Sequence, residues 1–201
     1  MIIRPTRTMG VVAGLALVAG TIFVAAPSSG ASKLLAKATL IDDAGHPIGT
    51  VRFTRDGKGG AVTGQVRVQL PTTPPEFHGM HLHANAGNTG CVPGSGFTGV
   101  GGHWDVGGHT HGAHTGDLPS VARRSDGRAE LVFVLDKFSA ADAIGKALIV
   151  HAGPDNFGNV PLGPAANQYT DNGTAYNGPG GTAATGNSGA RYACGVLEAK
   201  G

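Results

Sequence analysis

Charge is scarce in this chain: acidic and basic side chains together make up 14% of its 201 residues. There is no basic run, since the densest basic stretch, "ARRSDGR", is only a small surface turn. Nucleic-acid binding therefore has no electrostatic footprint. Long amphipathic helices are missing as well, because no segment sustains a 3.6-residue apolar period. No glycine-rich loop combines the lysine with the strand-to-helix context that a phosphate cradle needs, so nucleotide binding of that kind is not indicated. The longest apolar run, "VVAGLALVAGTIFVAA" at residues 11–26, has 16 residues, short of the roughly 20 that span a bilayer. Cysteine is limited to Cys91 and Cys194.

The apolar run follows Arg4 and Arg7 and precedes the small residues "PSSGAS". This layout is that of a signal peptide or a retained N-terminal anchor over residues 1–31, with residues 32–201 as the domain. No cysteine lies nearby to carry a lipid. Removing the leader takes two of 15 basic residues and none of 13 acids, so the remainder is formally neutral. An exported chain with two cysteines most simply forms one disulfide. Closing a loop of about 100 residues between Cys91 and Cys194 stabilises by about 4–5 kcal/mol in the chain-entropy treatment.

Glycine is abundant, at 35 residues, and shows no three-residue period. It serves turns and tightly folded loops instead of collagen. In "KLLAKATLI", Leu35, Lys37, Thr39 and Ile41 alternate with Ala36, Ala38 and Leu40. "IGTVRFTR" sets Val51 and Phe53 against Arg52 and Thr54, and "AVTGQVRVQL" repeats the alternation until the Pro74–Pro75 pair. "GMHLHA", "RAELVFVL", "ALIVH" and "RYACGVLE" complete the strands. One long loop runs from Asn85 to about Ser120 and another across residues 157–182, where capping of a channel, a partner surface and disorder all stay open. Short strands with turns between them indicate an antiparallel sandwich or barrel.

Of nine histidines, His46 sits in a polar turn and eight gather where loops meet strands. His81 and His83 are two apart, so a strand points both rings from one face. Imidazoles so placed suit copper or zinc, although two histidines on a strand face also occur with no such role. "GGHWDVGGHTHGAHTGD" adds His103, His109, His111, His114 and Asp117, enough donors for a four-coordinate zinc site. The plainer explanation is a solvated, histidine-rich loop. A metal clip would offset the entropy of ordering so long a loop. His151 ends the apolar run "ALIV", where a lone histidine is usually a satisfied edge-of-core residue.

Taken in order, "FHGMHLH", "GGHW", "HTGDL", "VHAGPD" and "TGNSGARYACGV", with Cys91, resemble copper–zinc superoxide dismutases of the exported bacterial kind across residues 34–197. The resemblance implies an all-β fold, a Greek-key β-sandwich or flattened β-barrel of immunoglobulin-like architecture, with two long functional loops. It implies copper on His81, His83, His103 and His151. It implies zinc on His103, His114, Asp117 and His111, with His109 as the substitute for His111. His103 would bridge both metals and, with Arg191, act in catalysis. Asp155 would accept hydrogen bonds from one ring of each metal site, and Thr185 would form the other channel wall. Cys91 and Cys194 would pair, and His78 would be structural. The implied reaction converts superoxide to dioxygen and hydrogen peroxide by Cu(II)/Cu(I) cycling. An exported metal-binding protein of the same fold with little turnover, or a copper-only dismutase, is the alternative. Homodimer formation and association with the cell envelope through the N-terminal segment stay open. No nucleic-acid partner is expected.

Overall fold

A computed structural model describes residues 33–55, 61–158 and 182–200. Residues 1–32, which include the expected leader, and all but the ends of the 157–182 stretch lie outside the described residues. Among the described residues, nine strands form one continuous antiparallel sheet: β1 Lys33–Ile41, β2 Pro47–Arg55, β3 Val62–Gln69, β4 Phe77–His83, β5 Asp117–Ala122, β6 Arg128–Leu135, β7 Ala147–His151, β8 Arg191–Val196 and β9 Glu198–Ala199. The spatial order is β5-β4-β7-β8-β1-β2-β3-β6, with β9 on β1. Two halves, β1-β2-β3-β6 and β5-β4-β7-β8, join at one register pair, Ile41↔Cys194. A lone bridge, Arg123↔Ala129, links the far ends of the path. The result is a flattened Greek-key barrel. Arg123 in "ARRSDGR" is drawn into this seam and buried, its backbone N–H donating to Glu76 O.

Alternation sends one side of each strand inward. Ala36, Ala38 and Leu40 of β1, Val51 and Phe53 of β2, and Val62, Val66 and Val68 of β3 meet Met80, Leu82, Leu148 and Val150 in one core. Phe53 is fully buried, with the rings of Phe133 and Phe138 edge-on at 6.2 and 5.9 Å. Gly64 occurs where a side chain would be expected because the Phe133 ring lies over it. A Cβ there would come within 2.3 Å of that ring.

Strands β4 and β7 are buried on both faces. Their outer face lies under the long loop: Phe97 and Val100, in and beside a 3-10 turn at Thr98–Val100, pack on Ala147, Ile149 and Cys194 as a second small core. The Cys91–Cys194 disulfide, closing 103 residues of chain, ties this loop to β8. The expected loop ended near Ser120, but the structure starts β5 at Asp117. Pro119 hides this strand from a pattern search. Pro is tolerated there because β5 is an edge strand on the sheet path. Two four-residue helices, α1 Ala140–Ala143 and α2 Thr182–Thr185, complete the described residues. Ser139 and Asp142 cap α1 reciprocally.

Candidate metal centre

The pleat puts Met80 and Leu82 in the core and leaves His81 and His83 on the opposite, loop-covered face. Register then supplies their neighbours. His81 lies across from Ile149 of β7 and from Asp117 of β5. His151, two residues beyond Ile149 on the same face, is the diagonal neighbour of His81, with ring centroids 4.8 Å apart. Arg191 pairs directly with His151 across β7 and β8. The loop brings in His103 through a bridge to His83, and its ring stacks on His81 at 3.9 Å.

Ring nitrogens of His81, His83, His103 and His151 converge within 4.8 Å of one another. In each ring one buried nitrogen has no hydrogen-bond partner: Nδ1 of His81 and Nε2 of His83, His103 and His151. Four such atoms facing one point would be a large penalty for an apolar packing solution. A metal accepted by all four removes it. For three of the rings, the other nitrogen is fixed by hydrogen bonding. His83 Nδ1 donates to Gly101 O at 2.8 Å, His151 Nδ1 to Gly189 O at 2.9 Å, and His81 Nε2 to Asp155 Oδ2 at 2.6 Å. His78 is also buried, donates from Nδ1 to His151 O at 2.8 Å and leaves Nε2 unpartnered, but it lies outside the converging group.

The second set gathers around Asp117 Oδ1. His103 Nδ1 lies 3.2 Å from it, and His111 Nδ1 and His114 Nδ1 each lie 3.3 Å from it. His103 Nδ1 is also 3.3 Å from His111 Nδ1 and 3.4 Å from His114 Nδ1. A tetrahedron with zinc–ligand bonds of about 2.0–2.1 Å has edges of about 3.3–3.4 Å. Five of the six edges lie within about 0.1 Å of it, so the donor spacing suits zinc. His103 faces the first group with Nε2 and the second with Nδ1.

His111 enters the cluster and His109 does not. His109 is exposed and turned to Asp105, 2.9 Å from Nδ1 to Oδ1. His111 is held by its backbone N–H to Ala183 O at 2.8 Å, and its Nε2 donates to Asp155 Oδ1 at 2.8 Å. One buried carboxylate thus orients a ring of each group. Gly186 lies against this contact with φ +61°. A Cβ there would fall 1.9 Å from Asp155 Oδ1 and 2.3 Å from His111 Nε2.

Burial drives the rings of the four-histidine group toward the neutral form: His103 falls to about 4, His151 to about 3, and His81 and His83 also fall. Burial also opposes charge on His111, but Asp117 and Asp155 flank both its nitrogens and raise it to about 9. Burial would raise both carboxyls, yet the neighbouring rings hold Asp117 and Asp155 well below the usual carboxylate range. Without metal, an imidazolium at His111 balances these carboxylates. A divalent cation would displace that proton.

Arg191 is half-buried and donates to Phe97 O and Gly101 O, both in the long loop. Gly101 O therefore accepts from Arg191 and from His83 together, a backbone acceptor that sequence reading missed because a carbonyl leaves no signature. Thr185 ends α2, half-buried, and its carbonyl accepts from Ser188 Oγ at 2.7 Å.

A family model described as copper/zinc superoxide dismutase matches residues 47–197. The chain is 40% identical over 153 residues to "Superoxide dismutase [Cu-Zn]" of Mycolicibacterium paratuberculosis, covering 68% of this chain and 64% of that protein. It is 37% identical over 187 residues to the proteins of that name from Mycobacterium bovis and Mycobacterium tuberculosis, covering 85% of this chain and 72% of each. Among solved structures, a double mutant of a SOD-like protein from Bacillus subtilis superposes with TM-score 0.57 at 24% identity, over 81% of this chain and 96% of that one. The clock protein EA4 does so with TM-score 0.59 at 25% identity, over 82% and 93%. These two likenesses bear on the fold.

Proposed function

The chain belongs to the copper/zinc superoxide dismutase family, and on that premise we propose that it disproportionates superoxide at a paired copper and zinc centre. Copper is assigned to His81, His83, His103 and His151, and zinc to His103, His111, His114 and Asp117. The observation that carries the reading is His103, one ring with a nitrogen in each donor set. When bound, copper supplies one-electron chemistry between Cu(II) and Cu(I), and zinc supplies a fixed charge without redox. The net reaction takes two superoxides and two protons to dioxygen and hydrogen peroxide.

The remaining work falls to the protein. His103 Nε2 faces the site where substrate arrives, and Nδ1 is anchored in the zinc set, so the ring can take up and release a proton at Nε2 without turning. Arg191, always cationic, is aimed by Phe97 O and Gly101 O beside His151, where an anion would meet it. Thr185 is assigned to the other wall of the approach. Asp155 keeps His81 and His111 in the tautomer that leaves each Nδ1 bare.

Export is part of the proposal. It is supported by the leader-like residues 1–31 and by the Cys91–Cys194 bond, which persists in oxidising compartments. No helix among the described residues is long and apolar enough to cross a membrane. The metal assignment is tested by diffraction at the copper and zinc absorption edges from loaded crystals. Copper within the four-histidine group and zinc around Asp117 Oδ1 are expected. Zinc at His109 and Asp105, or one shared metal position, would overturn the assignment.

A further inference from the structure

Residues 112–117 form a tight turn that carries two of the four zinc-type donor atoms, His114 Nδ1 and Asp117 Oδ1. Its hydrogen bonds close inward on the Asp117 carboxylate. Gly112 N–H donates to Oδ2 at 2.7 Å and His114 N–H to Oδ2 at 3.0 Å. Asp117 N–H returns to His114 O at 3.3 Å. Two carbonyls of the same turn, His114 O among them, also meet a side chain from another part of the barrel. Lys137, just past β6, places Nζ 3.2 Å from His114 O and 3.5 Å from Asp117 O. Lys137 is itself exposed, but its neighbour Phe138 is buried against Phe53 and Trp104, with ring centroids at 5.9 and 5.3 Å, which anchors the backbone from which the lysine reaches.

We propose that Lys137 is a positioning residue for the zinc pocket, clipping the His114–Asp117 turn to the barrel so that its two donor atoms keep tetrahedral spacing. The proposal rests on the zinc reading above. An ammonium suits this role because it has three donors and no acceptor, and can serve two carbonyls of one turn at once. A lysine serving only solubility has no reason to fold onto the carbonyls of two donor residues. Trp104 and strand β4 hold the inner side of the turn through Gly116 N–H to Trp104 O at 2.8 Å and Leu82 N–H to Gly116 O at 2.9 Å. Lys137 adds a side-chain contact from the segment just past β6.

The test compares Lys137→Met, Lys137→Arg and an outward-facing control, Lys37→Met, in the full domain. Zinc affinity is read by chelator competition, copper by its visible absorption, and the fold by Tm with and without metal. Lys137→Met is expected to weaken zinc by about tenfold, in the range of outer partners of metal ligands. Copper uptake and the metal-free Tm should be unchanged, Lys137→Arg should restore zinc, and Lys37→Met should match wild type. Equal zinc affinity in Lys137→Met, or an equal Tm loss with and without metal, would overturn the positioning role and leave the zinc assignment standing. A wild-type domain that takes up copper but no zinc would overturn both.

Discussion

Asp155→Asn tests the coupling between the two donor sets. The carboxylate accepts three N–H groups: His81 Nε2 at 2.6 Å, His111 Nε2 at 2.8 Å and the Phe157 backbone at 2.7 Å. Both rings must carry their proton on Nε2 if Nδ1 is to bind metal. An amide has one oxygen, so in either orientation its NH2 meets one ring N–H head on. Losing a charge-assisted hydrogen bond of this kind costs about 1.5–3 kcal/mol, equal to about 10–100-fold in binding. With the NH2 on the Oδ1 side, His111 and the Phe157 N–H both lose their acceptor, and both are loop groups that can move aside. His81 is locked in β4 between β5 and β7, whereas His111 sits in a loop. Zinc affinity should therefore fall by about 10–100-fold, while copper stays bound. Chelator competition on the zinc-loaded variant, with copper absorption followed in parallel, measures both. Unchanged zinc affinity, or copper lost before zinc, would refute the reasoning.

Gly186→Ala should act on the same contact from outside. A left-handed alanine costs about 1–3 kcal/mol, and its Cβ would displace the Asp155–His111 pair, so both Tm and zinc content should drop; a variant with wild-type zinc content contradicts this. The metal-free protein should be most stable near neutral pH. His103 and His151 are depressed to about 4 and about 3, so the unfolded chain takes up protons first and stability is lost as pH falls below about 6.5, by about 3 kcal/mol for His103 alone. His111, raised to about 9, has the opposite sign, and its contribution is lost as pH rises from about 6.5 towards 9. Circular-dichroism melts of metal-free protein from acid to alkaline pH check both limbs, and a flat Tm profile would contradict them. Cys91→Ser with Cys194→Ser opens a 103-residue loop and should cost about 4–5 kcal/mol in denaturant melts; a loss below about 1 kcal/mol would show that the loop is held by packing.

Much of the barrel is visible in the residues because alternation is a local signal. β1, β2 and β3 each carry it within a few residues, and the packing uses it as written. β5 is not visible in that way. Pro119 interrupts its pattern, and its place is settled only by pairing with β4, a contact distant in sequence. The same split divides the metal centre. His81 and His83 share a face because they are two apart on a strand, which spacing alone predicts. Between His109 and His111 the resemblance favours His111, with His109 as its substitute. The Asp105 carboxylate captures one, and Asp155, 44 residues beyond His111, captures the other. The contributions of the Gly101 and Gly189 carbonyls and of Lys137 appear only in three dimensions, since nothing in a glycine or a lone lysine announces what it faces.

The most direct test of the central claim is superoxide dismutation by the purified domain loaded with copper alone and with copper plus zinc, with metal content determined on the same samples. The account predicts turnover that requires copper and gains rate or stability with one zinc per chain. One copper per chain with no turnover would contradict it and leave an exported metal-binding protein on this fold. Full activity and stability without bound zinc would remove His103 from its bridging role and make this a copper-only enzyme.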